Sequence, residues 1–235
     1  MDISLQFEIT PQPNDTTCGP CCLHAVYRYF EKNLSEAQIL REVPMLEEGG
    51  TLAVQLGIHA LRNGFQATLS TLNIQVFDPT WFDPEPVVDL PMKLLAQRSA
   101  KRRKKLRVAT DAYLEFLELG GKIRFAAATP DMVRNTLKRE IPILTGLSST
   151  YLYRSARERP DDQEEDDIRG EPVGHFVVLC GYDSETRAVR VADPLESNPM
   201  ASGHVYSVPI DRVIGAILLG VLTYDANLLV LEPDR

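Results

Sequence analysis

Residues 12–23, QPNDTTCGPCCL, set a glutamine six positions ahead of a cysteine at the mouth of a helix, and no other stretch restricts the chain so tightly. Asp15, Thr16 and Thr17 are of helix-capping type, and Cys22, Val26, Tyr29 and Phe30 recur at helical spacing beyond Pro20. The pattern predicts a helix from about Cys18 to Lys32. In its first turn the unpaired backbone N–H groups and the positive end of the helix dipole favour an anion, which is one way to make a thiolate nucleophile of Cys18. Gly19 is expected to let a substrate approach the backbone, while the Cys18 N–H and the Gln12 side-chain amide would receive the oxyanion of a tetrahedral intermediate.

The same letters admit other readings. CGPC, Cys18 to Cys21, is also the dithiol motif of thioredoxin-like oxidoreductases. That fold sets the motif after a buried strand that follows another strand and helix, and only seventeen polar-rich residues precede Cys18. Cys18, Cys21 and Cys22 would also serve as small apolar helix residues. A zinc site from these three and His175 lacks the two spaced ligand pairs that structural zinc usually takes. A nucleophile at Cys18 is the preferred reading.

With 235 residues, 44% of them apolar, the chain can bury a full core as one domain. MDISLQFEIT is not a secretory signal, and VIGAILLGVLTY is too short to span a membrane. Four cysteines, three within five positions, do not form a disulfide framework, which suits a reducing, cytoplasmic setting. The net charge of -8 argues against nucleic acid as a partner of the whole molecule.

Along the chain, SLQFEI (4–9) alternates like a strand, Ser35 opens a short helix, and 51–64 reads as a helix capped by Thr51 and closed by Gly64. FQATLSTLN is a strand. One long helix is expected from about Lys93 to Leu119, beginning with seven cations in the ten residues 98–107; residues 158–167 carry seven acids in ten. The expectation is that the two runs attract one another or that the acidic run is a mobile loop by the site. KIRFAA is a strand, Thr129 and Pro130 open a helix, and IPILTGL and TYLYR read as strands. PVGHFVVLCGYD and RAVRVADP form a hairpin, followed by the strand HVYSV, the buried helix IDRVIGAILLGVL and the strand NLLVLEP.

An attacking thiolate needs an oriented base. His24 lies too far round its own helix, and His59 and His204 have no acid paired with them by the local pattern. His175 does: a hairpin turn centred near Glu185 sets residue 177 opposite 193, so Asp193 lies diagonally across from His175 on one face. Cys180 falls on the other face, in the core. Asp183 is a rival orienter, but it sits in the turn at the far end.

With Gln12, Cys18, His175 and Asp193 in these segments, QPNDTTCGPCCL and GHFVVLCGYD leading to VRVADP, the chain resembles the C39-like peptidase family of papain-fold cysteine peptidases. The resemblance implies Cys18 as nucleophile, His175 as general base and acid, Asp193 as its orienter and Gln12 as oxyanion donor. It implies an α+β papain-like fold, a helical lobe with Cys18 and an antiparallel sheet lobe with His175 and Asp193, in one domain over 1–235 with an insertion at about 78–120. The expected activity is hydrolysis of a peptide or amide bond through a Cys18 thioester, with a peptide or peptide-like substrate and no metal or organic cofactor. An acyl or peptidyl transferase, a Cys18/Cys21 oxidoreductase and a silent peptide-binding module are the alternatives. Cys21 or Cys22 would be positioned to bond Cys18 reversibly under oxidation.

Overall fold

The computed structural model describes residues 2–47, 49–224 and 226–234. In chain order the elements are β1 (Asp2–Ser4), α1 (Cys18–Tyr29), α2 (Glu36–Glu42), α3 (Ala53–Arg62), β2 (Phe65–Thr71), α4 (Leu90–Ala100), α5 (Lys104–Glu118), β3 (Lys122–Phe125), α6 (Pro130–Leu137), β4 (Ile143–Ser148), α7 (Ser149–Tyr153), β5 (Gly174–Asp183), β6 (Ala188–Ala192), β7 (Val205–Pro209), α8 (Ile210–Leu219) and β8 (Asn227–Pro233). Single 3-10 turns occupy Pro79–Phe82 and Gly220–Thr223.

All eight strands share one sheet in the order β3-β2-β8-β4-β5-β6-β7, and β1 pairs with the far end of β5. Only β2 and β3 run parallel; the remaining pairs are antiparallel. Every residue of β4 is buried, so helices cover both faces there. Helix α1 packs on β5 and α3 on β2, while α8 packs on β4. The fold is the expected α+β, papain-like one, although β2 and β3, from the more helical first half, join the same sheet.

Local chemistry accounts for most boundaries. Ser35 caps α2 by accepting the Gln38 N–H at 3.2 Å, and Thr129 caps α6 by accepting that of Met132 at 3.2 Å, with Pro130 first in the helix. Gly64 closes the α3 turn at φ 82°, a conformation that costs glycine nothing.

Four expectations need correction. The single helix over 93–119 is two helices, α4 and α5, broken at Lys101–Arg103. Folding back there lets Leu94 and Leu106 both reach the core, and an Arg98–Asp111 ion pair clasps the two helices. TYLYR is not a strand: Ser148 accepts the Tyr151 N–H and starts the short helix α7, which stops at Arg154 in the left-handed region, φ 58°. The strand expected over 4–9 ends at Ser4, with one further bond from the Leu5 N–H to the Cys180 carbonyl at 2.9 Å. Thr51 does not cap α3; Leu52 is the cap, and the Thr51 hydroxyl donates to the Pro44 carbonyl at 2.8 Å.

The charged runs do not pair with each other among the described residues. Lys104 pairs with Glu47, while Arg159 and Arg169 neutralise Asp162 and Asp166 within the acidic segment itself. Short-range arginines satisfy that loop, and it is tied as a compact excursion by bridges of Glu158 to Glu165 and Glu171.

Candidate active site

The loop that delivers Cys18 is shaped by Asn14. Its Oδ1 accepts the Thr16 N–H at 3.0 Å and the Thr16 hydroxyl at 2.9 Å, and its carbonyl accepts the Thr17 hydroxyl at 3.0 Å. Thr17 then stands as the N-cap of α1 without a side-chain capping bond, and neither Asp15 nor Thr16 supplies one. Cys18 is the first helical residue, so its N–H has no acceptor within the helix.

One turn later the Cys22 thiol donates to the Phe176 carbonyl at 3.2 Å, fastening α1 to β5 immediately beside His175. Gly19 completes this seam. A Cβ there would meet Thr51 Cγ2 at 2.6 Å and Leu56 and Phe176 at 3.3 Å, so its missing side chain lets α1 pack closely against these neighbours.

His175 and Asp193 meet as the hairpin register requires. Val178 pairs with Ala192, which continues to 177 opposite 193, and His175 Nε2 lies 2.8 Å from Asp193 Oδ1. Toward the turn the register slips by one at a bulge between Leu179 and Gly181. Nε2 is engaged by Asp193, and the Cys18 sulfur lies near enough to the ring to act on its titration.

Asp193 is wholly buried and collects four donors. Besides His175, Oδ1 accepts the Leu195 N–H at 3.0 Å, and Oδ2 accepts the hydroxyls of Tyr153 at 2.7 Å and Tyr206 at 2.6 Å. Burial works to raise its pKa, but the His175 charge and these bonds prevail and hold the carboxyl down at about 2. Burial likewise works to lower His175, and the Cys18 sulfur and the Asp193 carboxylate overcome it, bringing the imidazole up to about 10. The positive ring and the negative carboxylate therefore stabilise one another in a dry setting.

Gln12 is fixed beside them. Its N–H donates to the Pro194 carbonyl at 2.8 Å, and its side chain is 7% exposed with Oε1 buried and unpaired. The four residues singled out from sequence, Gln12, Cys18, His175 and Asp193, thus lie in one cluster. Tyr153 and Tyr206 escaped sequence reasoning: the first because α7 was read as a strand, the second because nothing in HVYSV marks its hydroxyl as pointing to a carboxylate.

The remaining cysteines and histidines are engaged by other partners. The Cys21 thiol is pushed up to about 12 by burial and by Glu36, whose Oε1 it meets at 3.4 Å. Cys22 is raised by burial, and Cys180, buried as expected, is pushed up to about 11. His24 lies 3.8 Å from Glu36, and His204 turns Nδ1 to the Asp193 carbonyl at 3.1 Å. His59, which had no acid in its local pattern, meets Glu42 at 3.1 Å and Tyr27 at 2.8 Å. Among the described residues no group of three or more His, Cys, Asp or Glu is placed to hold a metal, and no helix is long and apolar enough to cross a membrane.

Comparison with known proteins gives two family matches: residues 6–96 to the Peptidase C39 family and residues 103–210 to the Peptidase C39 like family. No curated protein matches. Among solved structures, a C39-like peptidase from Bacillus anthracis aligns over 99% of this chain and 98% of its own at 12% identity and a TM-score of 0.54. Two others are a double glycine motif protease from an AMS/PCAT transporter in complex with its leader peptide (13% identity, 98% and 94% covered, TM-score 0.47) and xylellain, a cysteine protease from Xylella fastidiosa (15%, 100% and 86%, 0.44).

Proposed function

The chain belongs to the C39-like family of cysteine peptidases, and on that premise we propose that it hydrolyses a peptide or amide bond through a thioester on Cys18. The observation that supports the reading is the buried His175–Asp193 pair, 2.8 Å apart, with Cys18 at the start of its helix near enough to act on the imidazole.

In this mechanism the Cys18 thiolate attacks the carbonyl carbon. The resulting oxyanion accepts hydrogen bonds from the Cys18 N–H and the Gln12 side-chain amide. As the intermediate collapses, the C–N bond breaks and His175 gives its proton to the departing amine, leaving the acyl group on sulfur. His175, now neutral, takes a proton from water as the water attacks the thioester; the acid product leaves and the ion pair is restored. Asp193 keeps the ring oriented and its charge compensated throughout, and Tyr153 and Tyr206 keep Asp193 ionised. Transfer of the acyl group to an amine would use the same steps with the amine in place of water. A Cys18/Cys21 oxidoreductase fits poorly, because a Cys21 thiol pushed up to about 12 offers little thiolate.

The test is turnover of a mixed peptide library, read by mass spectrometry, for wild type, Cys18→Ala, His175→Ala and Gln12→Ala. Cleavage that disappears in the first two and falls by about 10²-fold or more in the third supports the mechanism. Cleavage that survives Cys18→Ala overturns it.

A further inference from the structure

On the flank of Asp193 away from His175, two buried donors lack an acceptor. Helix α7 crosses α8 at Gly215, where a Cβ would stand 2.9 Å from the Tyr151 ring, so the bare backbone lets α7 lie close. Arg212 is one turn earlier on the same face of α8. Its Nε is buried and has no hydrogen-bond partner, and the groups acting on it are Arg154, Tyr151 and Tyr206, with no carboxylate among them. Arg154 ends α7 in the left-handed region, directly after the Tyr153 that bonds Asp193. Asn198 lies beside the Tyr206 hydroxyl, and its Nδ2 is also buried and unpaired.

Arg212 and Asn198 each leave a buried N–H donor unpaired, which is costly, the exposed Arg154 adds a second positive charge beside Arg212, and one anion would serve all three. We propose that Arg154, Arg212 and Asn198 form a carboxylate-binding subsite beside Tyr206 that holds an acidic side chain or the C-terminal carboxylate of a bound peptide. The identity of the ligand as a peptide rests on the peptidase reading; the anion site itself does not. Distance permits it: the Tyr153 ring is 6.2 Å from the His175 ring and Arg154 is the next residue, while an extended peptide covers about 10 Å in three residues. The planar guanidinium would take the carboxylate through two parallel N–H bonds, with the Asn198 amide as a third donor.

The experiment follows the Arg212 Nε–H resonance by NMR in the ¹⁵N-labelled full chain. The probes are N-acetylglutamate α-amide against N-acetylglutamine amide, and N-acetylalanine against its amide; the first pair isolates a side-chain carboxylate, the second a terminal one. The expected result is a saturable shift with the carboxylate of at least one pair and none with its amide. The apparent Kd should weaken at least fivefold in Arg154→Gln and in Asn198→Ala and stay unchanged in Arg139→Gln, whose partner is Glu232. Equal response to acid and amide, no response to either acid, or indifference to Arg154→Gln overturns the proposal. Because no turnover is read, failure here leaves the peptidase reading standing, and an inactive enzyme leaves the anion site decidable.

Discussion

His175 and His59 are buried almost equally, 6% and 5% exposed, and each turns Nε2 toward a carboxylate, Asp193 at 2.8 Å and Glu42 at 3.1 Å. Yet burial keeps His59 below its ordinary value, whereas His175 rises to about 10. The difference lies in the partners. The Glu42 side chain is 45% exposed and its charge is screened by water; that of Asp193 is fully buried, and the Cys18 sulfur acts on His175 in the same direction. The nitrogen of His59 that faces away from Glu42 is occupied by the neutral Tyr27 hydroxyl, while the tyrosines around His175 bond to its carboxylate and leave the ring free. A buried histidine becomes a working acid when its carboxylate is buried with it and one ring nitrogen is kept open.

The contrast can be broken most severely at the carboxylates. Asp193→Asn is expected to cut turnover by about 10³- to 10⁴-fold, while Glu42→Gln leaves kcat/KM within about threefold, both read on the same cleaved peptide. Next, Cys18→Ala removes the leading influence that raises His175, so its pKa is expected to fall below about 10 while that of His59 stays put, followed by NMR titration of the imidazole signals.

Smaller effects separate the tyrosines. Tyr206→Phe and Tyr27→Phe should each lower stability by about 1 kcal/mol in urea unfolding, but only Tyr206→Phe should slow turnover, by about tenfold. Smallest is the acid limb of stability. His59 binds fewer protons folded than unfolded, so its contribution is present above its ordinary 6.5 and is lost as the pH falls below it; His59→Gln should flatten the slope of the urea midpoint there. The raised His175 acts in the opposite sense: its stabilisation is complete below 6.5 and fades as the pH climbs through about 10.

Features set by neighbouring residues were readable in the sequence. The start of α1, the Ser35 and Thr129 caps and the parity that pairs His175 with Asp193 all depend on local hydrogen bonds or on the two-residue period of a strand. What depended on distant packing was not readable. Gly19 is explained only by Thr51, Leu56 and Phe176, and the break between α4 and α5 only by the core that Leu94 and Leu106 both enter. Tyr153 and Tyr206 come from elements 53 positions apart and meet on one oxygen. Even the hairpin register held for a reason no periodicity discloses. The paired strands beside the turn follow Asp183 opposite Ala188, which alone would set 178 opposite 193, and the bulge at Cys180 restores 178 opposite 192.

That bulge works as a slack joint in a linkage. Upstream of it the pairing of β5 with β6 is the one that sets His175 against Asp193; downstream it is fixed by the length of the turn, and a one-residue change on either side can be taken up at Cys180 without transmission to the other. Removing one residue from Ser184–Arg187 should therefore close the bulge and leave His175 and Asp193 where they are. The turn is then the part of the hairpin most open to shortening, tagging or grafting, and the hairpin separates what may vary in length from what must stay in register.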